Sequence, residues 1–118
     1  LPENLSTNLI IPEGLRQNRY CIMTLEYGNT GNTDIVDPKI KLCSIGGSWI
    51  GLERGEINVH RTELDIPIGM EGEPEGILRP GVRYTVSIYC FTNQSLEFVI
   101  YSNDDIYQYE QLRDEVIK

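Results

Sequence analysis

The run from Arg19 to Asp34 constrains this chain most. It opens with Cys21, Met23, Leu25 and Tyr27 alternating against Ile22, Thr24 and Glu26. A period of two places successive side chains on opposite faces, which is the pattern of a strand with one buried face. The run then breaks into Gly28, Asn29, Gly31 and Asn32, residues that tolerate positive φ and let the chain turn sharply. A helix cannot be built on that alternation. The chain also lacks Ala entirely and is rich in Gly, Asn and Thr, which argues further against a helical protein.

The same logic recurs along the chain. Strands are expected at Leu5 to Pro12, Asn18 to Tyr27, Pro38 to Ile45 and Ser48 to Leu52, with one or two more between Glu56 and Ile68. Gly81 to Thr92 is the clearest long strand, with Val82, Tyr84, Val86, Ile88 and Cys90 on one parity. Asn93-Gln94 then predicts a hairpin into Leu96 to Tyr101. The inward set is Cys21, Met23, Leu25, Ile40, Leu42, Val82, Tyr84, Val86, Ile88, Phe98 and Ile100, while Lys39 and Lys41 take the solvent side. After Asp104-Asp105 the period changes. Ile106, Tyr109, Leu112 or Arg113, and Val116 recur at three to four, the spacing of a short C-terminal helix. The division is therefore 1–103 as a sandwich and 104–118 as a helix that packs on it or leads to a neighbour. About seven strands separated by Gly, Pro and Asn turns predict an all-β, antiparallel two-sheet sandwich.

A chain of 118 residues is one domain, large enough to bury a core without metals or disulfides. Its formal charge of −8 disfavours nucleic acid or an anionic membrane surface as partner. No membrane-length apolar run, signal peptide or lipidation motif is present, and the opening at Leu1 reads as a mature fragment or an excised domain.

Three segments carry a family resemblance: Tyr27-Gly-Asn-Thr-Gly-Asn-Thr-Asp-Ile35 with Asp37-Pro38, then Glu75-Gly-Ile-Leu-Arg-Pro-Gly81, then Tyr84-Thr-Val-Ser-Ile-Tyr89. Together they resemble the immunoglobulin-like β-sandwich modules of large bacterial surface and secreted proteins, of the cell-adhesion-related (CARDB-like) type. The resemblance spans roughly Leu9 to Ile100. It implies an immunoglobulin-like fold and a non-catalytic spacer, adhesion or scaffold role at the cell surface or outside the cell. It implies protein binding by neighbouring domains or another protein, and carries no catalytic residue. The three cysteines and the terminal helix lie outside its usual pattern.

Several residues are candidate sites. Asp34 and Asp37, with Asn32, and the acidic Glu71, Glu73 and Glu75 offer the hard oxygens a structural calcium takes, but no D-x-[DN]-x-[DN]-G loop organises them. A solvated acidic loop is the simpler reading, so no cofactor is expected. Trp49 sits between glycines, an arrangement that can present an aromatic ring to a sugar, as in a carbohydrate-binding module. Its neighbours Ile50 and Leu52 want burial, which favours a packing anchor. His60 stands alone, without a nucleophile, P-loop or metalloprotease motif, so the chain is not read as an enzyme. Cys21 and Cys90 share the apolar parity and could face each other across the core, while buried free thiols are the simpler reading. Asn4 and Asn93 open short glycosylation sequons. Tyr89, Phe91, Val99 and Tyr101 take the outward parity of the two late strands, with Cys43 nearby. Four apolar or aromatic side chains there predict an interaction surface, covered by the terminal helix or by a partner.

Overall fold

The computed structural model describes residues 4–14, 16–68 and 76–117. It is a mostly antiparallel β-sandwich of nine strands with a C-terminal helix. The strands are β1 (Leu5–Ile10), β2 (Tyr20–Asn29), β3 (Ile35–Val36), β4 (Ile40–Ser44), β5 (Trp49–Gly51), β6 (Glu63–Ile66), β7 (Ile77–Leu78), β8 (Arg83–Phe91) and β9 (Phe98–Ser102). A 3₁₀ segment, Arg54–Val59, follows β5, and helix α1 spans Asp104–Ile117. One sheet runs β1-β2-β8-β5, the other β6-β4-β9, and β3 pairs with β7 in a small separate ladder. The count exceeds seven because β3 and β7 are two-residue strands that no periodicity can announce.

The long alternating segments behave as their pattern demands. Cys21, Met23, Leu25 and Tyr27 of β2 are buried, as are Ile40 and Leu42 of β4 and Ile88 and Cys90 of β8. Tyr84, Val86, Phe98 and Ile100 pack against this core at its margin, whereas Val82 stands outside it. The core also takes Ile35, Ile50, Leu64, Ile66 and Leu78, from strands too short for a clear period.

Three further expectations need correction. Gly28 and Asn29 belong to β2 rather than to the following turn. Asn29 is buried because its side chain ties three chain segments together: Nδ2 donates to the Thr33 and Leu78 carbonyls at 2.7 and 2.9 Å, and Oδ1 accepts from the Gly31 N–H at 2.9 Å. The stretch from Glu56 to Ile68 holds one strand, β6, and opens on the end of the 3₁₀ turn that starts at Arg54. The Glu56 carboxylate accepts the Leu52 and Glu53 N–H groups, and His60 ends the turn in the left-handed region at φ 59°.

The second correction concerns β8 and β9, which form no hairpin, since they lie in different sheets. Gly46 and Gly47 pass against Ser95, where a bridge joins Gly47 and Ser95 and Glu97 accepts from Ile45 and Gly46, so the 93–97 segment crosses between sheets. The third is Lys41, which is buried rather than solvated. Helix α1 lies over the outer side of the three-stranded sheet and covers it.

Candidate interaction face

The two sheets present very different outer sides. On the three-stranded sheet, Val99 and Tyr101 of β9 lie beside Cys43 and Lys41 of β4, and α1 packs there. Tyr109 stacks on Tyr101 with centroids 4.5 Å apart, and its hydroxyl donates to Glu63 of β6. Lys41 Nζ reaches Asp65 at 3.2 Å, Glu110 at 3.3 Å and Glu63 at 3.6 Å. Burial alone pushes the Lys41 ammonium down, but Asp65 and Glu110 outweigh it and hold it above the ordinary lysine range. Arg113 also pairs with Glu63. The helix therefore docks through Ile106, Tyr109, Glu110 and Arg113. Of Leu112 and Arg113, the two candidates for one place in the stripe, Arg113 turns inward and Leu112 is 63% exposed, and the side chain of Val116 lies outside the described residues. Burial pushes the Cys43 thiol up, so it behaves as a protonated packing group beside Tyr109.

Among the described residues the outer side of the four-stranded sheet carries no α-helix, and the 3₁₀ segment after β5 leans over one end of it. Its register sets Tyr20 opposite Phe91, Ile22 opposite Tyr89 and Trp49 opposite Phe91. Tyr20 meets Phe91 edge-on at 5.0 Å, and Trp49 lies nearly parallel to Phe91 at 5.7 Å. His60 stacks on Trp49 at 3.7 Å with an interplanar angle of 11°. The Arg54 guanidinium sits over the Tyr20 ring at 4.3 Å, a cation–π contact. Ile22 and Ile10 extend the apolar strip, both close to half exposed at 49% and 47%.

Local sequence explains how these groups meet. Thr92 is buried and fixes the chain just before β2: its N–H donates to Arg19 O, and its Oγ1 accepts the Arg19 N–H at 2.9 Å. That pins Tyr20 beside Phe91. Gly51 lets the 3₁₀ turn approach the sheet, since a Cβ there would stand 2.8 Å from Glu56 Cβ. The turn then delivers Arg54 and His60 over the aromatic row. His60 thus serves as a packing partner whose ring occupies one face of Trp49, and that face is closed to a sugar.

Tyr89, Phe91, Val99 and Tyr101 therefore do not form one surface. The first two belong to the open aromatic face, the last two to the opposite sheet beneath α1. The split arises because β8 and β9 belong to different sheets. The sequence reading missed Tyr20, Ile22 and Ile10, whose signal was the outward parity of the first two strands.

Asp34 and Asp37 are exposed, and Glu71, Glu73 and Glu75 lie outside the described residues. Among the described residues, no three His, Cys, Asp or Glu side chains converge to hold a metal ion. Cys21 and Cys90 are direct neighbours across the β2–β8 ladder, within one sheet rather than across the core, and both are free thiols. Burial and the adjacent Cys21 push Cys90 up to about 12. Asn4 is exposed at the β1 end, where its carbonyl accepts from Thr30, whereas Asn93 is half-buried with Oδ1 enclosed. Among the described residues, no helix is long and apolar enough to cross a membrane. Comparison with protein-family models, with curated proteins and with solved structures finds no match to this chain.

Proposed function

We propose that the chain is a non-catalytic, immunoglobulin-like interaction module of a larger extracellular protein, and that its open aromatic face seats a neighbouring protein domain. The observation that carries this reading is the exposed strip of Tyr20, Ile22 and Ile10, continuous with the half-buried Trp49, Tyr89 and Phe91 beside the 3₁₀ segment. Rigid aromatic rings with one side packed supply contact area at low entropic cost, and such residues dominate protein interfaces. Exposed Arg19 and Arg54 border the strip in a chain of net charge −8, so a domain with acidic groups at its rim is the complementary partner. The partition into four and three main strands supports the immunoglobulin-like assignment. The departures are β6 beside β4 and a helix where a further strand would follow β9.

Trp49 is the sole tryptophan and lies within the strip, so its emission reports on this face alone. Acrylamide quenching in the isolated domain and in the full-length protein tests the proposal. Shielding of Trp49 in the full-length protein is expected, and equal quenching overturns it.

A second reading is a carbohydrate-binding module, favoured by the gathering of Trp49, Phe91 and Tyr20 rings on one face. A glycan-array signal lost in Trp49→Ala supports that reading over the first. A calorimetric calcium titration tests its metal requirement.

A further inference from the structure

A different part of the fold is also unfinished. Strand β9 has a neighbour on one side only, because its sheet ends there. Asn103 N–H donates to Lys39 O at 3.0 Å and Ile45 N–H to Glu97 O at 2.9 Å, so the odd-numbered residues exchange hydrogen bonds with β4. By the alternation of an antiparallel ladder, Phe98, Ile100 and Ser102 direct their N–H and C=O groups away from it. Among the described residues, no strand receives them.

The other sheet margins carry protection that β9 lacks. Strand β5 is only three residues long, β6 carries Glu63 and Asp65 and is followed by Pro67, and β1 is polar at Ser6, Thr7 and Asn8. Strand β9 reads Phe-Val-Ile-Tyr-Ser, with no charge and no proline. Such an edge is a template for another strand.

The sandwich is also open beside it. Strand β5 adjoins the β6 end of the other sheet, where Ile50 N–H donates to Arg61 O at 2.9 Å. The opposite margins, β1 and β9, therefore share the other side of the molecule. There the inward side chains Leu5, Leu9, Phe98 and Ile100 are only half-buried, although they pack against the core.

We propose that the β9 edge binds an extended segment of another protein as an added strand. Its backbone pairs with Phe98, Ile100 and Ser102, and its alternate apolar side chains complete the burial of Leu9, Phe98 and Ile100. Exposed Glu97 directly precedes β9, and exposed Asp105 stands in the first turn of α1 just after it. A second copy of this chain, itself at −8, would set like charges against both ends in an antiparallel pairing. The segment that fits is thus apolar at alternate positions and carries Lys or Arg at its ends. This site is separate from the aromatic face and does not depend on that reading.

The probe is a nonapeptide of alternating Val and Thr with two Lys at each end, titrated into isotopically labelled protein with amide exchange read by NMR. Slowed exchange of the Phe98 and Ile100 amides is expected, with a Kd of about 100 µM or tighter. Ile100→Pro removes an outward N–H without breaking the β4 ladder, and Ile100→Ala controls for the lost side chain. Ser102→Pro removes the next outward N–H with no loss of core packing. Both proline variants should bind about tenfold more weakly, and the alanine variant within about threefold of the parent. A peptide with Glu in place of Lys should also lose about tenfold. No protection at millimolar peptide, equal binding by the proline variants, or equal binding of the Glu peptide overturns the proposal. So does concentration-dependent protection without peptide, which would give the edge to a second copy.

Discussion

Truncating the chain after Asn103 removes α1 and tests what the helix contributes. Asn103 itself must stay, because its backbone N–H donates to Lys39 O and its Oδ1 accepts the Lys39 N–H. The deletion strips Ile106 and Tyr109 from the outer side of the three-stranded sheet, where both are half-buried. Full burial of side chains this size stabilises by about 1.5–3 kcal/mol, so half burial gives roughly half of that for each. The ion pairs of Glu110 with Lys41 and of Arg113 with Glu63 are partly exposed and add about 0–1 kcal/mol each. Returning Lys41 to water offsets some of this. An isolated helix of this length is marginal, so its internal hydrogen bonds roughly cancel its ordering cost. The net loss is about 2–3 kcal/mol, and with a urea slope of about 1–3 kcal/mol/M the midpoint should fall by about 1 M. Equilibrium urea unfolding followed by Trp49 fluorescence reads this directly. Tyr109→Ala should lose about half as much, because it removes the ring from Tyr101 and leaves the rest of the helix in place. An unchanged midpoint in the truncated chain would refute the reasoning and leave α1 as a tether lying on the sheet without stabilising it.

Other outcomes follow from single positions. A Cβ at residue 28 would meet Val82 O at 2.6 Å, so Gly28→Ala should force β2 from β8 and cost about 1–3 kcal/mol in thermal melts. Gly55 has open space and no positive φ, so Gly55→Ala should stabilise by about 0.4–1 kcal/mol in the same assay. Asn29→Ala should cost about 3 kcal/mol in urea unfolding, since it strands the Leu78 and Thr33 carbonyls and the Gly31 N–H together. Cys21, Cys43, Cys90, Tyr109 and Lys41 all hold protons more tightly folded than unfolded. Stability is therefore fully present below the unfolded-state thiol range and falls as pH rises through it. Cys90 alone, raised from 9.0 to about 12, should contribute a loss of about 1.4 kcal/mol per pH unit across that interval. Urea titrations from pH 7 to 10 under reducing conditions check this, and a shallower slope is expected for Cys90→Ala.

How much of this was legible in the sequence depended on whether a signal was local. The β2 and β8 alternations fixed which side chains face inward, because parity is a property of one strand. Parity could not say what covers the other side. Lys41 therefore read as solvated, although α1 brings Glu110 over it and β6 supplies Asp65 and Glu63. The stripe of α1 left a choice open for the same reason: Leu112 and Arg113 both fit its spacing, and because the sheet face bears Lys41 and Glu63, Glu110 and Arg113 turn inward and Leu112 turns out. Asn93-Gln94 permitted a hairpin, but the choice between pairing and crossing rests on Gly46 and Gly47 meeting Ser95, far away in sequence. The aromatic face was half visible. Phe91 and Tyr89 were singled out, and Trp49 separately, yet only the registers of β2, β8 and β5 bring Tyr20 and Ile22 alongside them.

The most direct measurement of the proposed role is the accessibility of Trp49 in the full-length protein. Acrylamide quenching is compared with that of the isolated 118-residue domain, with Tyr20→Ser/Ile22→Ser as the variant that weakens the strip without touching Trp49. If the face seats a neighbouring domain, Trp49 is shielded in the full-length protein and the double variant restores the quenching of the isolated domain. If Trp49 is equally accessible in both, and the double variant changes nothing, the aromatic face is not an inter-domain interface.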